Sequence, residues 1–326
     1  MKKILALLLA LWIPAAVLSG CAPQDDSAAS NKLNIVTTIF PAYDWVREIL
    51  GDETDRAEIT MLLDSGVDLH SYQPTVDDIV KISDCDLFLY VGGESDGWVE
   101  DALKNAPNKE RKVIRLLDVL GDSAKAEETV AGMQEEEHDH EEEAEYDEHI
   151  WLSLKNAQVL VAAISEALQE TDPARKDTYA ANAAAYVEKL SALDGEYRAA
   201  VDSGKYKTLL FGDRFPFRYL ADDYGLDYYA AFPGCSAETE ASFETVSFLA
   251  GKMDALGLPC VLTIEGTQHK IAETIVQNTA QKNQQVLTMD SMQAVTANDA
   301  ASGVSYLSIM EKNLSVLKKA LGQEAE

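Results

Sequence analysis

Between residues 154 and 202 the sequence reads as helix throughout, with one break at Thr171-Asp172-Pro173. Thr171 or Asp172 can cap a helix there, and Pro173 suits the first helical position, where no N–H is needed. In the second piece Tyr179, Ala183, Tyr186, Leu190, Leu193 and Tyr197 recur at spacings of three and four. Such spacing aligns them as one continuous apolar stripe. A helix over 174–201 would run for about 40 Å at 1.5 Å per residue. An element that long cannot sit inside one small lobe, so it is expected to be a stiff connector spanning two halves of the molecule.

The flanking sequence supports two halves. Before the connector, β-branched and apolar runs at 33–38, 57–63, 86–92 and 113–117 alternate with helical patterns at 45–50, 75–82 and 98–105. After it, strands at 208–211, 227–232, 260–265 and 285–289 alternate with helices at 217–224, 243–256, 270–279 and 306–321. Alternation at this interval implies mainly parallel sheets flanked by helices. The expected fold is therefore α/β, with an N-terminal lobe over 33–153, connecting helices over 154–203 and a C-terminal lobe over 204–326. Two such lobes with a cleft between them fit a substrate-binding protein better than most enzymes, by analogy of architecture.

At the N-terminus, Lys2 and Lys3 precede an apolar run over 4–18, the charged and hydrophobic parts of a secretory signal over 1–20. It ends in Leu18-Ser19-Gly20-Cys21, which resembles a bacterial lipobox, with Cys21 as the lipidated residue and 21–32 as a polar tether. Membrane attachment would then be through lipid alone, because no later stretch is long and apolar enough to cross a bilayer. With Cys21 assigned to lipid, Cys85, Cys235 and Cys260 remain, which allows at most one internal disulfide. No CxxC spacing marks a redox or cysteine-zinc site. The formal net charge of −29 argues against nucleic acid and for attraction of cations.

The anionic charge peaks in QEEEHDHEEEAEYDEHIW, residues 134–151, which holds ten carboxylates and three of the five histidines. His138 and His140 alternate with carboxylates, a composition that collects borderline divalent ions such as zinc. His149, by contrast, is set into apolar surroundings before Ile150-Trp151-Leu152. A collector loop over 134–148 leading into a fixed ligand is the expected arrangement. His70 falls in a loop beyond the carboxyl end of the strand at 57–63, where α/β folds place ligands.

Several segments carry a family likeness: Val36 to Asp44 (VTTIFPAYD), Asp68 to Thr75 (DLHSYQPT) and Asp147 to Ser153 (DEHIWLS). To these are added Tyr219 to Leu226 (YLADDYGL), Thr288 to Ser291 (TMDS) and Tyr306 to Leu314 (YLSIMEKNL). Over nearly all of the chain beyond the tether, the sequence resembles the metal-binding lipoproteins and periplasmic proteins that feed zinc or manganese ABC importers. The resemblance implies His70 and His149 as N-lobe metal ligands and Asp290 as a C-lobe carboxylate ligand. It also implies a zinc-type member, since the acidic His loop is similar to the one zinc-type members carry; manganese is the second choice.

The family's remaining C-lobe ligand falls on Arg214, which has no lone pair to give. Asp213, Glu265, a loop residue or water would have to substitute, and Arg214 is expected to pair with Glu265 or Asp290. His269 is expected to be an exposed helix-start residue rather than a ligand. Further implications are an ABC permease as partner, an extracytoplasmic location at the cell membrane, a monomeric state and no catalytic residues. Because imidazole binds metal only when neutral, affinity is expected to fall below about pH 6.5. A zinc hydrolase is the enzyme alternative, weakened by the lack of HExxH and GxSxG. An adhesin-type surface lipoprotein is the other, and it needs no convergence of His70 with His149.

Overall fold

The computed structural model describes residues 32–104, 106–134, 145–236, 240–266 and 268–323. The expected signal and Cys21, and His138 and His140 of the acidic loop, lie outside the described residues. The first half contains β1 (Leu33–Thr37), α1 (Phe40–Leu50), β2 (Ala57–Met61), α2 (Val76–Asp84), β3 (Leu87–Tyr90), α3 (Val99–Lys104), β4 (Lys112–Arg115) and α4 (Leu116–Leu120). Then come α5 (Leu154–Thr171) and α6 (Lys176–Ser203), with a short 3-10 turn at Pro173–Arg175 between them. The second half holds β5 (Thr208–Arg214), α7 (Arg218–Tyr224), β6 (Asp227–Phe232), α8 (Phe243–Leu256), β7 (Cys260–Thr263), α9 (Lys270–Asn278), β8 (Gln285–Thr288), α10 (Ala297–Ala301) and α11 (Tyr306–Ala320).

Each half builds one four-stranded sheet, in the orders β2-β1-β3-β4 and β6-β5-β7-β8, and every pairing is parallel. The direction in which successive strands are laid down across the sheet reverses between β1 and β3 and again between β5 and β7. Such switch points open a crevice beyond the carboxyl ends of the strands. Both lobes thus offer loops of the same kind to the space between them.

The expected stripe on the connector is the buried face of α6, with Tyr179, Ala183, Tyr186, Leu190, Leu193 and Tyr197 all buried. One apolar cluster takes in these residues with Trp45 and Trp151 from the first half and Phe211, Tyr219 and Tyr306 from the second. Burying a large apolar side chain is worth roughly 1.5–3 kcal/mol, so a shared core of this kind resists free swinging of one lobe against the other. Polar contacts reinforce it. Trp151 Nε1 donates to the Ser291 carbonyl at 2.9 Å, Tyr306 Oη donates to the Trp151 carbonyl at 2.7 Å, and the Tyr306 N–H donates to Asp44 Oδ2 at 2.8 Å.

Two departures from the sequence reading have plain causes. Helix α1 starts at Phe40 rather than 45 because Pro41 sits in its first turn, where the missing N–H leaves nothing unsatisfied. Strand β5 runs on to Arg214 through an irregular register between Phe211 and Arg214. A break of that sort re-aims the side chains that follow it.

Candidate metal centre

His70 lies in a single 3-10 turn, Leu69–Ser71, whose preceding residue Asp68 accepts the His70 N–H on Oδ1 at 3.0 Å. Leu69 is buried and pins the turn to the core. His149 immediately precedes another 3-10 turn, Ile150–Leu152, in which all three residues are buried. The apolar triplet therefore fixes the backbone of His149, and the Trp151 bonds tie it to the seam between the halves. Ser153 then caps α5 by accepting from Asn156 N–H and donates to Asp223 Oδ2 at 2.5 Å.

The two imidazoles meet edge to edge, with Nε2 of His70 and Nε2 of His149 3.2 Å apart. Their other nitrogens are committed. His149 Nδ1 lies 2.9 Å from Asp147 Oδ1, and His70 Nδ1 lies 2.9 Å from Ser95 Oγ and 3.4 Å from Glu148 Oε2. A carboxylate can only accept, so the proton of neutral His149 belongs on Nδ1 and its lone pair on Nε2. At His70 the Nδ1 partner is the Ser95 hydroxyl, with the Glu148 carboxylate beyond it, and Nε2 is the nitrogen that faces His149. Two ligands on a tetrahedral zinc at 2.0–2.1 Å stand roughly 3.3 Å apart, so the observed separation suits one ion between them.

Cys235 completes the group. Its Sγ and the two histidine nitrogens lie within 4.8 Å of one another. Glycines make room for this convergence: a Cβ on Gly234 would stand 3.2 Å from His149 Nδ1, and one on Gly93 would collide with the Glu148 carboxylate. Among the described residues no other group of three or more His, Cys, Asp or Glu has ligand atoms so close. His70, Cys235, Glu127 and Glu148 line a cleft of about 610 Å³, and His70, Asp213, Arg214 and Glu265 line an adjoining one of about 480 Å³.

The electrostatics follow from crowding. Burial, then the charge of His149, press His70 down to about 3 from an ordinary 6.5. Burial alone would do the same to His149, but the bonded Asp147 carboxylate, with Glu148 beyond it, outweighs burial and raises it. The two rings are thus pushed in opposite directions, His70 down and His149 up, across the 3.2 Å between their Nε2 atoms. Burial, then the charges of Asp147 and Glu127, hold Cys235 as a thiol well above its usual range, against a backbone hydrogen bond from Glu148.

The expected C-lobe carboxylates hold partners of their own. Asp290 Oδ1 accepts the Met292 N–H at 2.8 Å, and burial followed by the charge of Glu265 pushes its carboxyl up to about 6. Glu265 accepts from Ser291 N–H at 2.6 Å, Ser291 Oγ at 2.7 Å and Gln293 N–H at 3.0 Å, so both its oxygens hold the segment after β8. Asp213 accepts from the Arg214 and Ile264 N–H groups, and burial raises its carboxyl. None of the three joins His70 and His149 in the close ligand group.

The expected pairing of Arg214 with Glu265 or Asp290 is corrected. Its guanidinium crosses the cleft and donates from Nη2 to Asp68 Oδ2 at 2.6 Å, because the irregular end of β5 aims it toward the first lobe while backbone amides occupy Glu265. Burial would raise Asp68, but Arg214, by charge and hydrogen bond, lowers it overall. His269 stands directly before α9 and is partly buried rather than exposed. Cys85, Cys235 and Cys260 are all free thiols, so no disulfide joins them.

The profile of the family described as ZnuA, zinc-uptake complex component A periplasmic, matches residues 35–320. The chain belongs to the ZnuA family. It is 34% identical to the zinc-binding lipoprotein AdcA of Streptococcus pneumoniae over 99% of this chain and 62% of that protein. It is also 29% identical to the high-affinity zinc uptake system protein ZnuA of Bacillus subtilis, over 89% of this chain and 88% of that one. The chain thus spans about three fifths of the length of the streptococcal relatives, 62% and 56% in two of them. The crystal structure of the Zn(II)-bound ZnuA-like domain of S. pneumoniae AdcA superposes with a TM-score of 0.70 at 30% identity, covering 90% of this chain and 100% of that one. The B. subtilis metal-dependent lipoprotein YcdH superposes with a TM-score of 0.71 at 26% identity, over 89% and 99%.

Against this ZnuA-type frame, the residues missed in the sequence are Ser95, Asp147, Glu148 and Cys235. Asp147 and Glu148 read there as part of a charge run and of the DEHIWLS motif with no role of their own, and Cys235 only as a possible disulfide partner. The available signal was position: Pro233-Gly234-Cys235-Ser236 follows β6 directly, at the carboxyl end of a strand, as His70 follows β2.

Proposed function

We propose that this protein captures a divalent transition metal, zinc first and manganese second, in the cleft between its lobes and hands it to an ABC importer permease. The observation that carries the reading is the pair of imidazole Nε2 atoms 3.2 Å apart, each with its Nδ1 committed to a partner. Membership of the ZnuA family and the zinc-binding names of its relatives support it. His70 and His149 are the proposed first ligands. Asp147, Ser95 and Glu148 orient them, which is the usual role of partners behind metal-bound histidines. The protein acts as a carrier and not as an enzyme.

The relatives named lipoproteins support an anchor outside the cell through Cys21, with the domain held at the membrane surface as a monomer. No helix among the described residues is long and apolar enough to cross a membrane. The test is calorimetric titration of zinc and of manganese into the metal-stripped protein and into the double variant His70→Ala, His149→Ala. One tight zinc site that disappears in the double variant is expected. Equal zinc binding by both proteins would overturn the reading and favour a surface-interaction role.

A further inference from the structure

We propose that Cys235 supplies a thiolate as the third protein ligand, so that the cleft holds its metal in a His70-His149-Cys235 set that favours zinc over manganese. The proposal deepens the metal-capture reading and rests on it. The first ground is convergence: Cys235 Sγ falls in the one close group of ligand atoms among the described residues. The second is that the Cys235 turn is held in place by contacts from three directions. The Cys235 N–H donates to Glu127 Oε1 at 2.8 Å, Arg214 Nη1 donates to the Ser236 carbonyl at 3.3 Å, and Gly234 packs against the His149 ring.

The other two thiols show what a structural cysteine looks like here. Cys85 and Cys260 are buried in the apolar core, and Cys85 Sγ donates to the Ile82 carbonyl at 3.2 Å. Cys235 is the partly exposed one, and it opens on the cleft. Arg214 then has a coherent role. As a cation it cannot ligate, but its two bonds reach the residue after Cys235 and Asp68 beside His70. It is a positioning residue that holds the thiol turn of one lobe against the histidine turn of the other.

The chemistry distinguishes this set from an all-oxygen-and-nitrogen one. On binding, the Sγ–H bond breaks, the sulfur pair goes to the metal and the proton leaves to solvent, as coordinating thiols are deprotonated outright. Both imidazoles bind as neutral rings through Nε2, and any proton on either Nε2 leaves to solvent with that of the thiol. Thiolate is a soft ligand that suits zinc, whereas manganese favours carboxylate and water. Three protein ligands also leave one position of a tetrahedral ion open.

Cobalt(II) reports the ligand directly, because a thiolate bound to it gives an intense charge-transfer band in the near ultraviolet. The metal-stripped protein loaded with cobalt(II) is expected to show that band, and Cys235→Ser to lose it. Zinc affinity should fall by more than about 100-fold in the variant, and its zinc-to-manganese preference should shrink. Zinc should also protect Cys235 from iodoacetamide in the unaltered protein, read by mass spectrometry of its peptide. That second measurement stands even if Cys235→Ser fails to fold. Tight zinc binding with no thiolate band and no protection of Cys235 would overturn the proposal and leave metal capture standing. An absence of tight zinc binding in the unaltered protein would bring down both.

Discussion

His149 is fully buried, yet its ligand atom is set by Asp147, a carboxylate whose place is behind the imidazole. The Asp147 oxygen also accepts the His149 N–H at 2.9 Å, so one atom fixes both ring and backbone. Asp147→Asn keeps the size but offers an amide that can also donate, and the preference for the Nδ1–H tautomer weakens. Zinc affinity should drop about 10–100-fold, the usual range for such partners, in a competition titration against a chromogenic chelator; an unchanged affinity would remove Asp147 from the mechanism. A second residue carries a prediction on stability. Asp44 accepts the Tyr306 N–H, and burial pushes its carboxyl up to about 6 from 3.8. The folded state therefore holds this proton more tightly than the unfolded chain. Between about pH 4 and pH 6 stability contributed here falls as pH rises, and above about 6 the full penalty, roughly 3 kcal/mol, is present. Asp44→Asn retains an acceptor for Tyr306 without the charge, so it should be more stable at pH 7 and lose this slope in urea unfolding followed across that window.

At the scale of elements, what was legible in the sequence had a periodic signature. The stripe from Tyr179 to Tyr197 gave α6, and alternating runs gave all eight strands within a few residues, because burial on one face writes itself at fixed spacing. His70 and His149 were legible through their motifs, His70 also through its place beyond a strand end and His149 through its apolar surroundings. The opposite lobe was less so: Asp290 and Cys235 follow β8 and β6 alike, and only the packed turns put the Cys235 sulfur in the close group with the two histidines. Nor could spacing reveal that Arg214 crosses to Asp68, since that depends on an irregular register near the end of β5. This bridge is the element-scale prediction. Asp68 uses Oδ1 for the His70 N–H and Oδ2 for Arg214, so Asp68→Asn keeps the first bond and weakens the second. If the two turns are held through this contact, Arg214→Ala and Asp68→Asn each lower zinc affinity, and together they lower it by less than the sum. Direct contacts of this kind couple by about 0.5–3 kcal/mol in a double-mutant cycle. Simple additivity would mean that each side chain acts alone.

At the scale of the whole molecule, a net charge of −29 surrounds a site meant for a cation, and the densest part of that charge is rooted at the cleft. The stems of the acidic segment pair with each other, the Glu127 N–H donating to the Glu145 carbonyl at 2.7 Å and the Asp147 N–H to the Lys125 carbonyl at 2.8 Å. Glu127, Glu145 and Tyr146 line the same cleft as His70 and Cys235. A field of one sign focused on a cleft raises the rate at which counter-ions arrive, by about 10- to 1000-fold, and salt screens it over about 10 Å at 0.1 M. It adds little to the affinity of a site whose ligands are elsewhere. Deleting residues 135–144 removes seven carboxylates together with His138 and His140 but none of the proposed ligands. Stopped-flow capture of zinc from a fluorescent chelator should then show slower association at low salt and a flatter dependence on ionic strength, while the tight site seen by calorimetry keeps its affinity. Loss of the tight site with the segment would place the metal among those residues instead of the interlobe cleft. An unchanged rate would mean that the acidic segment does not steer zinc, and that the remaining charge of the lobes is sufficient to draw the ion in.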